Sequence, residues 1–328
     1  RIASAAALSN GLADAVARFW PAASSGGGRL AIVVGSLGLL TLINVIGIKS
    51  AARTGIALVI GKLVPLLLFI AIGAFYIDPA PLVAGEPPRV DKLGEAALLL
   101  LFAYAGFENI PAAAGEFKNP RRDVPFALLT MIAVVTLVYA AVQLVAQGTL
   151  PGLAQSATPL ADAASRFSGE TLALILTVGA TISILGTNSN TMLFGPRVLY
   201  SLAQDGFGPR VLARIHPRFR TPAWAIVTQG TLALLLALSG SFVQLAMLSV
   251  VARLCAYIGT TLAVLVLRKR HGHREDALKL PGGPLIPLGA LVLSIGLLAS
   301  ATLNNLIAGA CALLLGAVIY LMRRRDAS

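Results

Sequence analysis

The sequence predicts an all-α polytopic membrane protein, a single transmembrane domain over residues 1–328, and three observations carry that prediction. Hydrophobic residues fill 57% of positions and charged residues only 12%, a balance that suits a bilayer rather than water as solvent. Apolar windows of about 20 residues, enough to cross a hydrocarbon core of about 30 Å, recur about ten times. The short loops between them alternate between rich and poor in Lys and Arg, the orientation signal of a multi-span chain.

The first span is expected over 2–20. The chain opens at Arg1, already inside an Ala-rich apolar run, so it is expected to be truncated upstream rather than led by a cleavable signal. Spans follow over 30–48 and 54–77, the latter holding Lys62 and Pro65 and closed by Pro79 and Pro81. Pro87 and Pro88 precede a span over 92–116, and further spans are expected over 124–147, 170–203, 222–240 and 243–267. Pro281, Gly282, Gly283 and Pro284 introduce the last two, 285–303 and 305–322, separated by little more than Asn304 and Asn305. Basic residues cluster after every second span: Lys49 and Arg53; Lys118, Arg121 and Arg122; Arg210, Arg214, Arg218 and Arg220; Arg268, Lys269, Arg270, Arg274 and Lys279; then Arg323, Arg324 and Arg325. The opposite loops hold only Arg18, Arg29, Arg89, Lys92 and Arg166. That asymmetry puts the first set and the C-terminus in the cytoplasm, in the cell inner membrane.

Several functions are excluded by the same reading. The net charge of +12 lies in short inter-span loops, so it marks orientation in a lipid bilayer and no nucleic-acid partner is expected. Cys255 and Cys311 sit singly in apolar runs, without disulfide or metal-ligand spacing. His216, His271 and His273 fall in cytoplasmic loops and read as solvated. No GxxxxGK[ST] or GxGxxG occurs, and no nucleophile, base and orienter set appears, so neither a cofactor nor an enzyme is expected.

The segment LLLLFAYAGFENIPAAAGEFKNPRRDVP (98–125) concentrates the candidate chemistry. Gly106, Glu108, Pro111 and Gly115 lie within one apolar span; Pro111 lacks an N–H and clashes with the carbonyl of Phe107, so a helix break is expected just after Gly106. Such a break either lines a cavity and meets a ligand or is a proline kink stabilised by neighbours. Glu108 adds a carboxyl at membrane depth, costing about 2.5–3.5 kcal/mol on insertion scales. It either binds a proton in a transport cycle or bonds an adjacent helix. Lys62 lies nine residues past Arg53, near the middle of the core, and is either a proton-linked cation or a lysine bonded to carbonyls. Arg253, also deep, cannot practically deprotonate and reads as structural or gating, with Glu108 a conceivable partner. Ser183, Thr187, Asn190 and Thr191 fall near one helical face, which either lines a path or stitches helices together. Their helix is too long for the bilayer and should project into the cytoplasm around Arg197 and Tyr200.

These residues resemble the amino acid, polyamine and organocation permeases. FAYAGFENIPAAAGEFKNPRRDVP looks like that family's sixth span and following loop, NTMLFGPRVLYSLAQDGFGP like its eighth, and GKLVPLLLFIAIG like its fifth. The resemblance implies a leucine-transporter-like fold of two inverted five-helix repeats plus two helices. The present spans would be numbers three to twelve, without the first two helices and the start of the third. It further implies that substrate amino and carboxylate groups meet the broken first and sixth helices, so that Phe102, Ala103, Tyr104, Ala105 and Gly106 are carried over as substrate-binding, with Phe102 at an aromatic gate. Glu108 matches an acidic position tied to proton sensing, and Lys62 a lysine that replaces a sodium site. The expected function is proton-coupled amino acid symport by alternating access. Exchange of amino acids or polyamines is the near alternative, and a non-transporting scaffold or sensor the more distant one.

Overall fold

The computed structural model describes residues 1–47, 51–83, 89–110, 117–271 and 282–325. Lys49, Pro87, Pro88, Pro111, Gly115, His273, Arg274, Lys279 and Pro281 lie outside the described residues, as do the side chains of Arg53, His271, Arg323, Arg324 and Arg325.

Among the described residues the chain is helical throughout: α1 (Ile2–Val16), α2 (Gly26–Ile46), α3 (Ala51–Gly73), the short α4 (Ala80–Val83), α5 (Val90–Ala103), α6 (Pro120–Thr149), α7 (Pro159–Gln204), α8 (Ala223–Ser239), α9 (Phe242–His271), α10 (Leu285–Ala299) and α11 (Leu303–Arg325). The architecture is that of a polytopic membrane protein. Four helices, Gly26–Ile46, Pro120–Thr149, Pro159–Gln204 and Phe242–Arg270, are each long and apolar enough to cross a bilayer, and three shorter apolar helices accompany them. α10 and α11 bend by 116° across a short break. That break falls at Ser300–Thr302, ahead of the expected position, and Asn304 and Asn305 belong to the first turn of α11.

Glycine sets several boundaries. Gly47 ends α2 at φ 78, where a Cβ would be strained, while its N–H closes on Ile43 O at 3.0 Å. Gly169 (φ 75, ψ −174) interrupts α7, so that helix is a short arm, 159–168, followed by a long one. The expected span 170–203 therefore corresponds to the long arm alone.

Residues Arg1–Glu86, Val138–Leu245 and Leu314–Ser328 form one compact unit, and Pro87–Leu137 with Ala246–Leu313 form a second. In the first unit α1 packs against α7 and α8, and α3 packs against α7. α1 presents Ala5, Ala6, Ala7 and Ala13 without exposed surface, small residues that let helix backbones approach closely where no hydrophobic drive separates helix from lipid. α3 meets α7 in the same way: a Cβ on Gly179 would lie 2.9 Å from Pro65 Cγ. Phe69, Val145, Leu172 and Leu176 centre an apolar cluster beside this contact. Large side chains such as Leu129 and Leu137 on α6 stay 71% exposed, as lipid-facing residues should.

The loop ahead of α8 carries hydrogen bonds of its own. His216 is half-buried, its Nδ1 accepts the N–H groups of Arg218 and Phe219, and its own N–H donates to Thr221 O at 2.8 Å. This histidine therefore also shapes the turn.

Candidate functional site

The site is built from the end of α5. The last turn of that helix, rich in Leu, packs into the second unit's core: Leu98, Met247, Val250 and Leu254 are buried together, and Phe102 rests on them. Helical bonding runs out at Tyr104, whose N–H reaches Leu100 O, and Ala105 N–H turns tighter onto Phe102 O at 3.1 Å. Gly106 then takes φ 129, ψ −23, and a single 3-10 turn follows over Phe107–Asn109. A Cβ at Gly106 would meet nothing within 4 Å, so backbone conformation, not space, demands glycine there. The break thus begins at Ala103, slightly ahead of the expected point, and is carried among the described residues by Gly106.

Two flanking helices hold this turn. From α6, Thr136 Oγ1 accepts Tyr104 Oη at 2.9 Å and itself donates to Ile132 O. From α9, Arg253 Nη1 bonds Glu108 Oε1, forming an ion pair with side chains 14% and 25% exposed. Glu108 Oε2 accepts the N–H of Gly106 at 2.8 Å. One turn along α9, the ring of Tyr257 lies 5.9 Å from that of Phe107. The conceivable partnership of Arg253 and Glu108 is therefore a formed pair. Of the other residues here, Ala103 and Gly106 are exposed, whereas Phe102, Tyr104 and Ala105 are half-buried.

Lys62, Thr187, Asn190 and Thr191 belong to the first unit. Lys62 is half-buried on α3, three residues before the buried Pro65. Thr187 and Asn190 are exposed; Thr187 Oγ1 donates to Ser183 O at 2.9 Å and Thr191 Oγ1 to Thr187 O at 3.0 Å, so both hydroxyls bond their own helix. The buried polar residue of this stretch is one the sequence reading passed over, Asn188, whose Nδ2 donates to Ser9 Oγ at 2.9 Å. Its Oδ1 has no partner among the described residues. Gln229 on α8 was likewise unforeseen: 1% exposed, it donates to Thr191 O at 3.1 Å and fills the space left by the absent side chain of Gly195. The available signal was nearby glycine, with Gly186 just before Asn188 and Gly230 next to Gln229. Among the described residues no group of three His, Cys, Asp or Glu is placed to hold a metal ion.

The described residues form an all-helical, multi-pass membrane chain with a charged pair at the turn that follows α5. The chain belongs to the amino acid permease family, whose model matches residues 2–319. It is 32% identical over 293 residues to the branched-chain amino acid permease BcaP of Bacillus subtilis, covering 88% of this chain and 63% of that protein. It is 31% identical over 316 residues to the serine/threonine exchanger SteT of the same organism, covering 92% and 72%. The methylthioribose transporter of Bacillus subtilis matches at 30% over 251 residues, 76% of this chain and 54% of that protein. The chain thus spans between 54% and 72% of the length of these relatives.

Proposed function

We propose that this chain forms part of a secondary transporter that carries amino acids across the cytoplasmic membrane by alternating access, within one permease domain of inverted five-helix repeats. The observation that carries the reading is the end of the apolar helix α5 at Ala103 and the turn Tyr104–Gly106 after it, where backbone groups leave helical bonding. In a bilayer such groups must be satisfied by protein, water or ligand, and transporters use them for the charged ends of substrates. Phe102, Ala103, Tyr104, Ala105 and Gly106 are the residues assigned to substrate, with Thr187, Asn190 and Thr191 as additional lining. Two relatives, a branched-chain amino acid permease and a serine/threonine exchanger, support an amino acid as cargo.

Lys62 and Glu108 are assigned to proton coupling in this reading. One observation favours the alternative, amino acid exchange without net proton movement: Glu108 already has both oxygens engaged, by Arg253 and by Gly106 N–H. The full-length protein reconstituted in vesicles tests both. Labelled leucine or serine should accumulate saturably and be displaced by a panel of other amino acids, and absence of saturable uptake for every one refutes transport. Uptake driven by an inward proton gradient and reduced at least about tenfold, a barrier change of about 1.4 kcal/mol, by Lys62→Ala and Glu108→Gln supports symport. Uptake that instead needs internal amino acid supports exchange.

A further inference from the structure

We infer that α9 splints the chain on both sides of the break at the end of α5, the downstream side being the 3-10 turn Phe107–Asn109, and that Arg253 is the positioning residue that fixes that turn through Glu108. The inference rests on the reading of residues 102–108 as substrate-facing. One stripe of α9, Met247, Val250 and Leu254, closes on Leu98 and supports Phe102, gripping the arm before the break. The adjoining stripe, Arg253 and Tyr257, grips the arm after it, at Glu108 and Phe107. Between the grips run Ala103–Gly106, and the only helix-breaking φ in the described part of this turn is that of Gly106. Because Glu108 Oε2 accepts the Gly106 N–H while Oε1 takes Arg253, one carboxylate ties α9 to the peptide at which the chain leaves helical geometry.

The two grips differ in kind. Apolar packing is non-directional, so Met247, Val250 and Leu254 locate the upstream arm without fixing the rotation of the turn beyond it. A guanidinium presents a planar fork of donors, so its bond to Glu108 constrains direction as well as distance. With both side chains largely withdrawn from solvent, the pair is a poor candidate for screening by water. Arg253 thus sets the orientation of the backbone groups that the substrate would meet, without touching the substrate itself.

The test uses the purified full-length protein in nanodiscs, with L-leucine and L-serine as binding probes and a second readout that needs no ligand. Arg253→Met and Glu108→Gln should each raise Kd by about tenfold or more, and the double variant should be no worse than the poorer single, because both remove one interaction. Arg253→Lys, which keeps charge but loses the fork, should recover part of the affinity. In a cysteine-free background, Ala105→Cys should react with a maleimide about tenfold faster when Arg253→Met is added, as the turn opens locally. Additive losses in Kd, or a folded Arg253→Met protein with unchanged labelling or unchanged Kd, overturn the inference. If the wild type binds neither probe yet labelling still accelerates, the transport reading fails and the positioning role stands. Should Arg253→Met not fold, Arg253→Lys and the double variant give the same readouts.

Discussion

In one unit Arg18 meets Asp162; in the other Arg253 meets Glu108, and in both pairs the second carboxylate oxygen is taken by a nearby donor. Asp162 sits on the short arm of α7 ahead of the Gly169 kink, where Ser156, Thr158 and Arg18 all donate to it. Its partners are side chains of a loop and a helix start, and Glu170, 83% exposed, shares the same arginine. Glu108 has a guanidinium on one oxygen and a backbone N–H on the other, beside an unwound turn. The same chemistry ties loop side chains to the start of a helix in one place and holds the turn after a helix end in the other. What separates them is solvent access: 22% and 36% side-chain exposure for the first pair, 14% and 25% for the second.

That contrast is broken most directly by removing each arginine. Arg253→Met leaves a half-buried carboxylate without its charged partner and should destabilise the protein by about 1–3 kcal/mol. Arg18→Met should cost no more than about 1 kcal/mol, since Asp162 retains hydroxyl donors and solvent. Thermal melting of both variants in detergent checks this, and equal losses would mean that burial does not distinguish the pairs.

An effect of similar size sharpens the comparison at the backbone. Gly106 (φ 129) and Gly152 (φ 80) both occupy conformations that L side chains rarely adopt, one at the break and one in the loop before the 3-10 turn Leu153–Gln155. Replacing either with alanine should cost about 1–3 kcal/mol of strain. Only Gly106→Ala should also weaken amino acid binding, because only there does the strained peptide belong to the assigned site. Comparable binding by the two variants would detach the break from the substrate.

Much of this was legible in the sequence because bilayer physics is coarse. Expected spans such as 222–240 and 243–267 correspond to α8 and α9 because a lipid-exposed helix must be apolar over its full length. The break near Gly106 was legible for the converse reason, that glycine and charge in an apolar run have few structural uses. Pairing was not. Arg253 and Glu108 are 145 residues apart, and nothing local specifies which intramembrane charge meets which. The covered polar residue of α7 was illegible for a similar reason: Thr187 and Thr191 bond their own carbonyls, a satisfaction any helix offers, whereas Asn188 needed Ser9 from α1. Helical spacing shows that polar residues align; it does not show which of them another helix covers.

The smallest predicted effect concerns pH and the first pair. Partial burial pushes the Asp162 carboxyl up, but hydrogen bonds from Ser156, Arg18 and Thr158, with the charge of Arg18, outweigh it and hold the pKa below the ordinary value of 3.8. A carboxyl depressed in the folded state binds its proton more readily when unfolded. Its contribution to stability is therefore fully present above the ordinary value and is lost as pH falls through the folded pKa. Wild type and Asp162→Asn should then differ in melting temperature by a constant amount from pH 7 down to about 5, and converge only below the ordinary carboxylate range. Convergence already at pH 6 would show that Arg18 and Ser156 do not hold the charged form, and would remove the solvent-side member from the comparison of the two pairs.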